Sequence, residues 1–436
     1  MANIPIDGNT DFTILFFVSR DIPRGEATCI EASPVVSSGP GRPVKPVNGL
    51  FQKRLESTVK YGTLTVVMAD GRGFTCGSGE PHVVWKINHP RTPLKIALDP
   101  DFQLGESYLR GEWELPQGTL TELLCVLMRN FNLEKNHSPK SVGGRTIRQW
   151  NSLRRSLSNI ARHYDLEETL FRSFLDRDLH YSCAYFKQPE ETLEQAQQNK
   201  CQHILEKLCL SPGMHVLDIG CGWGGLARYL TQHGDVEVQG ITLSKEQLAV
   251  AEQRRAESPM QEMLRFSLQD YRTHQGKYDR IVSVGMFEHV GKPYYPAFFR
   301  HLQRLLKESG VALLHTIGRT SGPGNTNPWI ARHIFPGGYN PALSELIRAL
   351  NEVQIHVTDI EVLRRHYALT LMHWGDRFQA HRSRFAQQKG EVFCRMWEFY
   401  LAASEACFRT GSLVVYQIQL ARDWRQVPET RDYLYS

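Results

Sequence analysis

Residues 214–225 read MHVLDIGCGWGG. An apolar run ends at Ile219, and four of the next six residues are glycine: Gly220, Gly222, Gly224 and Gly225. The pattern predicts a strand, a tight turn and the start of a helix. Glycine permits positive φ and lets the backbone approach a ligand closely, and a helix N-terminus offers free N–H groups. Further apolar runs follow at VEVQGITL (236–243), DRIVSV (279–284) and GVALLHTI (310–317), separated by helix-like segments. One of these, 244–257, opens with Ser244 as N-cap and Gln247 at the third helical position, a capping-box pattern. Strand–helix alternation predicts an α/β fold with a parallel sheet covered on both faces. Ligands of such sheets bind at the carboxyl ends of the strands, where the glycine turn lies.

The turn satisfies two patterns. Gly220, Gly222 and Gly225 fit G-x-G-x-x-G, a dinucleotide signature. Asp218 with Gly220, Gly222 and Gly224 fits D-x-G-x-G-x-G, the form found where S-adenosylmethionine binds. A pyrophosphate beside Asp218 would meet like charge. The acid expected about 20 residues on is also unclear, because Glu237 falls inside a strand that ends GITLS. S-adenosylmethionine has no phosphate and carries an ammonium that Asp218 can meet directly or through water. These features favour the methyl donor, with a dinucleotide or a plain structural turn as the alternatives.

The chain has 436 residues, enough for two or three domains, with 41% hydrophobic and 22% charged residues. Its net charge of +5 is mildly basic and weak evidence for an acidic partner. Nine cysteines without a C-x-x-C pair fit a reducing cytosol and argue against a zinc site, so no metal is expected. No apolar run approaches the ~18 residues of a membrane span. FTILFFV (12–18) follows Asp7 and Asp11 rather than basic residues, which argues against a secretory signal.

Residues 1–45, rich in Gly, Pro and Ser, read as a flexible lead-in. A small strand-containing domain is expected over 46–144. In it GTLTVVMADGRGFTCG (62–77) is a hairpin about Asp70-Gly71, VVWKINH (83–89) and PLKIALDP (93–100) read as strands, and helices fall near 117–132. GRTIRQWNSLRRSLSNIAR, ending at Arg162, places Ile147, Trp150, Leu153, Leu157 and Ile160 at helical spacing, with Arg145, Arg148, Arg154, Arg155 and Arg162 mostly off that stripe. It reads as a linker helix with a solvated basic face, or as one that meets an anionic membrane surface.

A series of motifs then carries a family resemblance: HYSCAYF (180–186), VLDIGCGWGGLARYL (216–230), GITLSKEQ (240–247), LQDYR (268–272) and YDRIVSVGMFEHVG (278–291). It continues in LLHTIG (313–318), NPWI (327–330), IFPGG (334–338) and HYALTLMHW (366–374). In this order they resemble the cyclopropane-fatty-acyl-phospholipid synthase family, kin to the mycolic acid cyclopropane synthases. The resemblance runs from about 145 to the end and implies a catalytic domain over 145–436. That domain would be a class I methyltransferase, Rossmann-like sheet with helical lipid-cavity insertions. The segment 46–144 would be an N-terminal lipid-associated domain.

The resemblance implies that a methyl from S-adenosylmethionine reaches a cis double bond of an unsaturated phospholipid acyl chain. A carbocation forms, and loss of a proton from the new methyl closes a cyclopropane. An alkene is a weak nucleophile, so donor and double bond must be held in near-attack geometry. The cation must be kept from water and can rest against aromatic faces. A base must then take the proton.

In the family that base is bicarbonate. The matching positions are Cys183, Glu288, His315, the backbone at Ile317, and Tyr367. Taken singly, Cys183 reads as a small buried apolar residue, His315 as a core histidine, Tyr367 as packing, and Glu288 as a solvated or functional acid. The motif context moves all four to functional roles. The same matching implies donor contacts at Tyr181, Ser182, Gly220, Gly222, Thr242, Leu243, Gln247 and Gln269, the last reading the adenine amino group; Asp218 joins them.

The chain departs from the family's HYDxGND at 163–169, which read HYDLEET and bring in Glu167 and Glu168. Aromatic-rich segments at 294–299, 327–339 and 393–408 are candidate walls of an acyl tunnel, although the last also reads as a plain core helix. A cytoplasmic enzyme peripherally associated with anionic membranes is expected, with no nucleic-acid partner and, by analogy, a homodimer. A methyltransferase making a methyl-branched lipid, or acting on a small acceptor, is the alternative.

Overall fold

The computed structural model describes residues 47–135 and 168–435. The lead-in 1–45, FTILFFV and the basic helix expected before Arg162 lie outside the described residues. The chain divides into two compact units.

The first unit carries helix Val47–Thr58, strands β1 (Tyr61–Val67) and β2 (Gly73–Ile87), helices Thr92–Leu98 and Pro100–Leu109, strand β3 (Trp113–Gln117) and helix Leu120–Lys135. The strands form an antiparallel sheet in the order β1-β2-β3. β1 alternates buried and half-buried residues, so Leu64 and Val66 point to a core that holds Trp85, Trp113 and Leu123. The hairpin about Asp70-Gly71 forms as expected: Met68 N–H donates to the Arg72 carbonyl, and Gly71 N–H to the Met68 carbonyl.

PLKIALDP does not form a strand. Thr92–Leu98 is a helix with proline in its first turn, where the fixed φ suits helix initiation. A strand would put Leu94, Ile96 and Leu98 on one face, whereas Ile96 is buried and Leu94 and Leu98 are exposed.

In the second unit a seven-stranded sheet contains β4 (His215–Ile219), β5 (Glu237–Thr242), β6 (Leu264–Leu268), β7 (Tyr278–Val284), β8 (Leu306–Arg319), β9 (His356–Leu363) and β10 (Leu413–Ala421). The order is β6-β5-β4-β7-β8-β10-β9. Strands β4 to β8 pair in parallel, while β10 runs antiparallel to both β8 and β9. The sheet is therefore mixed, not wholly parallel. β10 is buried along nearly its whole length, and a continuous buried run carries no signal of strand direction.

Both faces are covered. Leu217 and Ile219 pack with Phe287, Phe298, Phe299 and Leu346 on one side, and Val216 packs with Ile204, Leu226 and Leu230 on the other. Each such side chain contributes roughly 1.5–3 kcal/mol by leaving water. Tyr295, Phe298 and Phe299 are part of this core, so the 294–299 segment packs against the sheet instead of walling a tunnel. Strand order reverses at β4, which opens a crevice at its carboxyl end.

Candidate active site

The glycine turn closes β4. Gly220 has φ +84° and Gly222 φ +55°, both in the left-handed region. A Cβ on Gly220 would meet the Met286 side chain at 2.8 Å, whereas one on Gly222 would meet nothing within 4 Å. Gly220 is thus fixed by close packing, and Gly222 borders open space. That space is a cavity of about 1150 Å³, including its solvent-open mouth. All nine expected donor residues line it: Tyr181, Ser182, Asp218, Gly220, Gly222, Thr242, Leu243, Gln247 and Gln269.

Local bonding explains their placement. Ser244 caps helix Lys245–Ala256 by accepting from the Gln247 N–H. The Gln247 side chain does not complete a capping box; its Oε1 accepts from the Thr242 hydroxyl at 2.9 Å. Its amide N–H groups remain as donors for a ligand. Gln269 Oε1 pairs with His274 Nδ1 at 2.7 Å, which uses part of the acceptor capacity expected to read an adenine amino group.

Asp218 is 2% exposed and its Oδ2 has no hydrogen-bond partner among the described residues. Burial raises its pKa to about 7, against the pull of Lys200 and His180. An unpaired buried carboxylate oxygen in the cavity wall is suited to an ammonium. Lys200, in helix Leu193–Lys207, is 1% exposed and donates to Ser182 Oγ at 3.1 Å. His180 pairs with Asp176 at 2.8 Å. Burial opposes its charge, yet the neighbouring Cys201 and Asp176 lift its pKa to about 9.

None of the second set is in the cavity lining; Cys183 and Glu288 each adjoin a lining residue in sequence, Ser182 and His289, and the His315 carbonyl accepts from the N–H of the lining residue Gly285 at 2.9 Å. Glu288 is buried in the turn Phe287–His289 after β7. Its Oε1 accepts from the Ile317 N–H at 2.6 Å, and its Oε2 has no hydrogen-bond partner among the described residues. Burial raises its pKa, with the Ile317 N–H, its own N–H and the Thr316 hydroxyl pulling the other way. The Ile317 amide is therefore engaged by Glu288 and acts by orienting that carboxylate, with charge-assisted strength.

His315 lies two residues before Ile317 on β8. Its Nδ1 pairs with the Gln417 side-chain amide at 3.2 Å, which leaves Nε2 for another partner. Burial lowers its pKa to about 3, so it is neutral. Cys183 is fully buried, its thiol donates to the Ala184 carbonyl, and burial pushes its pKa up. The loop holding Cys183 is tied to helix His366–Lys389, which carries Tyr367. Ala184 N–H donates to Thr370 Oγ1 and Phe186 N–H to His366 Nδ1, both at 3.0 Å. Tyr367 itself packs edge-on to Trp374 and against Phe408.

A bed of aromatic rings adjoins both sets. Tyr181 contacts Phe171, Phe174 and Trp374, and its hydroxyl bonds that of Tyr400 at 2.8 Å. Trp397 and Tyr400 come from helix Glu391–Arg409, which is the core helix that its spacing suggested. Glu168 heads helix Glu168–Phe174 and pairs with Arg172 one turn on, a local helix contact; Glu167 lies outside the described residues.

Sequence reading missed Lys200, Trp374 and Tyr400. A signal existed for Lys200: Ala196, Gln197, Lys200, Cys201 and Ile204 recur at helical spacing and are all buried, which sets a lysine inside an inward stripe.

The mycolic acid cyclopropane synthetase family model matches residues 151–418. The chain is 34% identical over 387 residues to a probable fatty acid methyltransferase of Pseudomonas putida, covering 85% of this chain and 96% of that protein. It is 38% identical over 339 residues to the cyclopropane-fatty-acyl-phospholipid synthase of Escherichia coli (strain K12), covering 77% and 87%. The solved structure of mycolic acid cyclopropane synthase CmaA1 complexed with SAH and CTAB superposes with a TM-score of 0.57 at 36% identity, covering 61% of this chain and 97% of that one.

Proposed function

The chain belongs to the mycolic acid cyclopropane synthetase family, and on that premise we propose that it builds a cyclopropane across the cis double bond of an unsaturated phospholipid acyl chain, with bicarbonate as the proton acceptor. It is an S-adenosylmethionine-dependent enzyme. When bound, the donor supplies an electrophilic methyl group and bicarbonate supplies a base.

The chain's own residues do the rest. Asp218 meets the ammonium of the donor, and Gly220 and Gly222 let the backbone approach its amino-acid end. Tyr181 and Ser182 close one side of the cavity, while Thr242, Leu243, Gln247 and Gln269 hold the nucleoside. The rings of Tyr181, Trp374 and Tyr400 exclude water and present π faces to positive charge on the acyl chain. His315 Nε2–H and the Tyr367 hydroxyl are donors for an oxyanion. Glu288 Oε2 accepts the proton that bicarbonate carries, and Cys183 stays a neutral thiol beside them.

The observation that carries this reading is Glu288. Its Oε1 is fixed by the Ile317 amide, and its Oε2 is buried with no hydrogen-bond partner among the described residues. Such a carboxylate is costly unless a proton-bearing ligand completes it. The test is turnover on vesicles of cis-unsaturated phospholipid in bicarbonate-depleted buffer. The rate falls on depletion and returns when bicarbonate is restored; a rate indifferent to bicarbonate contradicts the assignment. The segment 46–144 is assigned to lipid association and 145–436 to the catalytic domain. The enzyme works as a cytoplasmic homodimer peripherally bound to anionic membranes.

A further inference from the structure

Four ionisable side chains are packed together at the wall of the donor cavity: Asp176, His180, Lys200 and Asp218. Each is buried or nearly so. Two are acids and two are bases, so the group is neutral when all four are charged. Asp176 and His180 form a direct pair at 2.8 Å. Lys200 and Asp218 do not pair directly. Lys200 donates to Ser182 Oγ at 3.1 Å, and Asp218 leaves Oδ2 without a hydrogen-bond partner among the described residues. All except Asp176 line the cavity.

We infer that Lys200 is a positioning residue for the donor: its buried ammonium holds Ser182 and balances Asp218, so that a carboxylate faces the donor's amino-acid end. This rests on the donor-site reading above. The groups facing Asp218 are Lys200 from helix Leu193–Lys207, His180 from the loop before it, and Cys221 from the turn after β4. Burial lowers the Lys200 pKa, while Cys201, Asp176, Cys183 and Asp218 pull it up; His180 and His315 also face it. Burial lifts the Asp218 pKa to about 7 even with Lys200 present. Removing the lysine moves the ionisation of Asp218 to higher pH.

The test is calorimetric titration of the full chain with S-adenosylhomocysteine and with 5′-methylthioadenosine, which lacks the amino-acid end, from mildly acidic to mildly basic pH. Lys200→Met weakens S-adenosylhomocysteine binding about tenfold below neutrality, with recovery as pH rises. Methylthioadenosine binding stays within about twofold of wild type. The charge-balanced double variant Lys200→Met/Asp218→Asn binds S-adenosylhomocysteine weakly, with no pH slope. If Lys200→Met fails to fold, this double variant alone decides, and a wild-type pH slope in it overturns the inference. Unchanged binding in Lys200→Met, or equal loss of both ligands at every pH, also overturns it. A wild-type chain that binds neither ligand removes the donor-site reading itself, and the inference with it.

Discussion

Glu288 and Asp218 each have a buried carboxylate oxygen without a hydrogen-bond partner among the described residues, and they are assigned opposite tasks. Glu288→Gln keeps an oxygen for the Ile317 amide but cannot take a proton. It is expected to lose about 10²–10⁴-fold in turnover, with S-adenosylhomocysteine affinity within about twofold of wild type; full activity would refute the role. Asp218 has its folded pKa raised to about 7, so the folded chain holds that proton more tightly than the unfolded chain does. Its contribution to stability is complete below the unfolded value and is lost as pH rises through about 7. In ligand-free form, the thermal midpoint of wild type relative to Asp218→Asn should therefore fall as pH rises. Donor affinity should move the other way and rise with ionisation. Parallel trends would contradict the assignment. The cavity-lining positions at Asp218, Gly220, Gly222, Thr242, Leu243, Gln247 and Gln269 were legible because they sit in short motifs at strand ends, whereas Tyr181 and Ser182 follow no strand and came from the motif alone. Lys200 was not legible, since a lysine in a helix ordinarily reads as solvated and only its neighbours at helical spacing show that it faces inward.

At the scale of elements, the turn after β4 decides the site. Gly220→Ala forces a side chain into positive φ and toward Met286, which should destabilise the chain by about 1–3 kcal/mol and weaken donor binding. Denaturant unfolding with and without S-adenosylhomocysteine checks both; a fully stable variant with wild-type affinity would contradict the packing argument. The strands at MHVLDI, VEVQGITL, DRIVSV and GVALLHTI and the 70–71 hairpin were readable from apolar runs and turn chemistry. PLKIALDP was misread because its alternation of Leu94, Ile96 and Leu98 mimics a strand, while Pro93 favours a helical first turn. The direction of β10 was not readable, because pairing direction is settled by tertiary partners such as Ile317 opposite Val415.

At the scale of the whole molecule, the proposed phospholipid substrate lies in a bilayer that the enzyme must reach. No helix among the described residues is long and apolar enough to cross a membrane. With a net charge of +5, association with anionic vesicles should weaken as salt rises, seen by co-sedimentation over a salt series. Salt-insensitive binding, or none, would remove the peripheral-docking reading. Ring closure on the lipid distinguishes this enzyme from a simple methyltransferase. The full chain is incubated with methyl-labelled S-adenosylmethionine and vesicles of cis-unsaturated phospholipid, and the acyl chains are analysed by mass and proton NMR. Each modified chain is expected to gain one CH₂, lose its olefinic protons and show cyclopropane protons. A methyl-branched chain without a ring, or label in a small soluble acceptor and none in lipid, would contradict ring closure on the lipid.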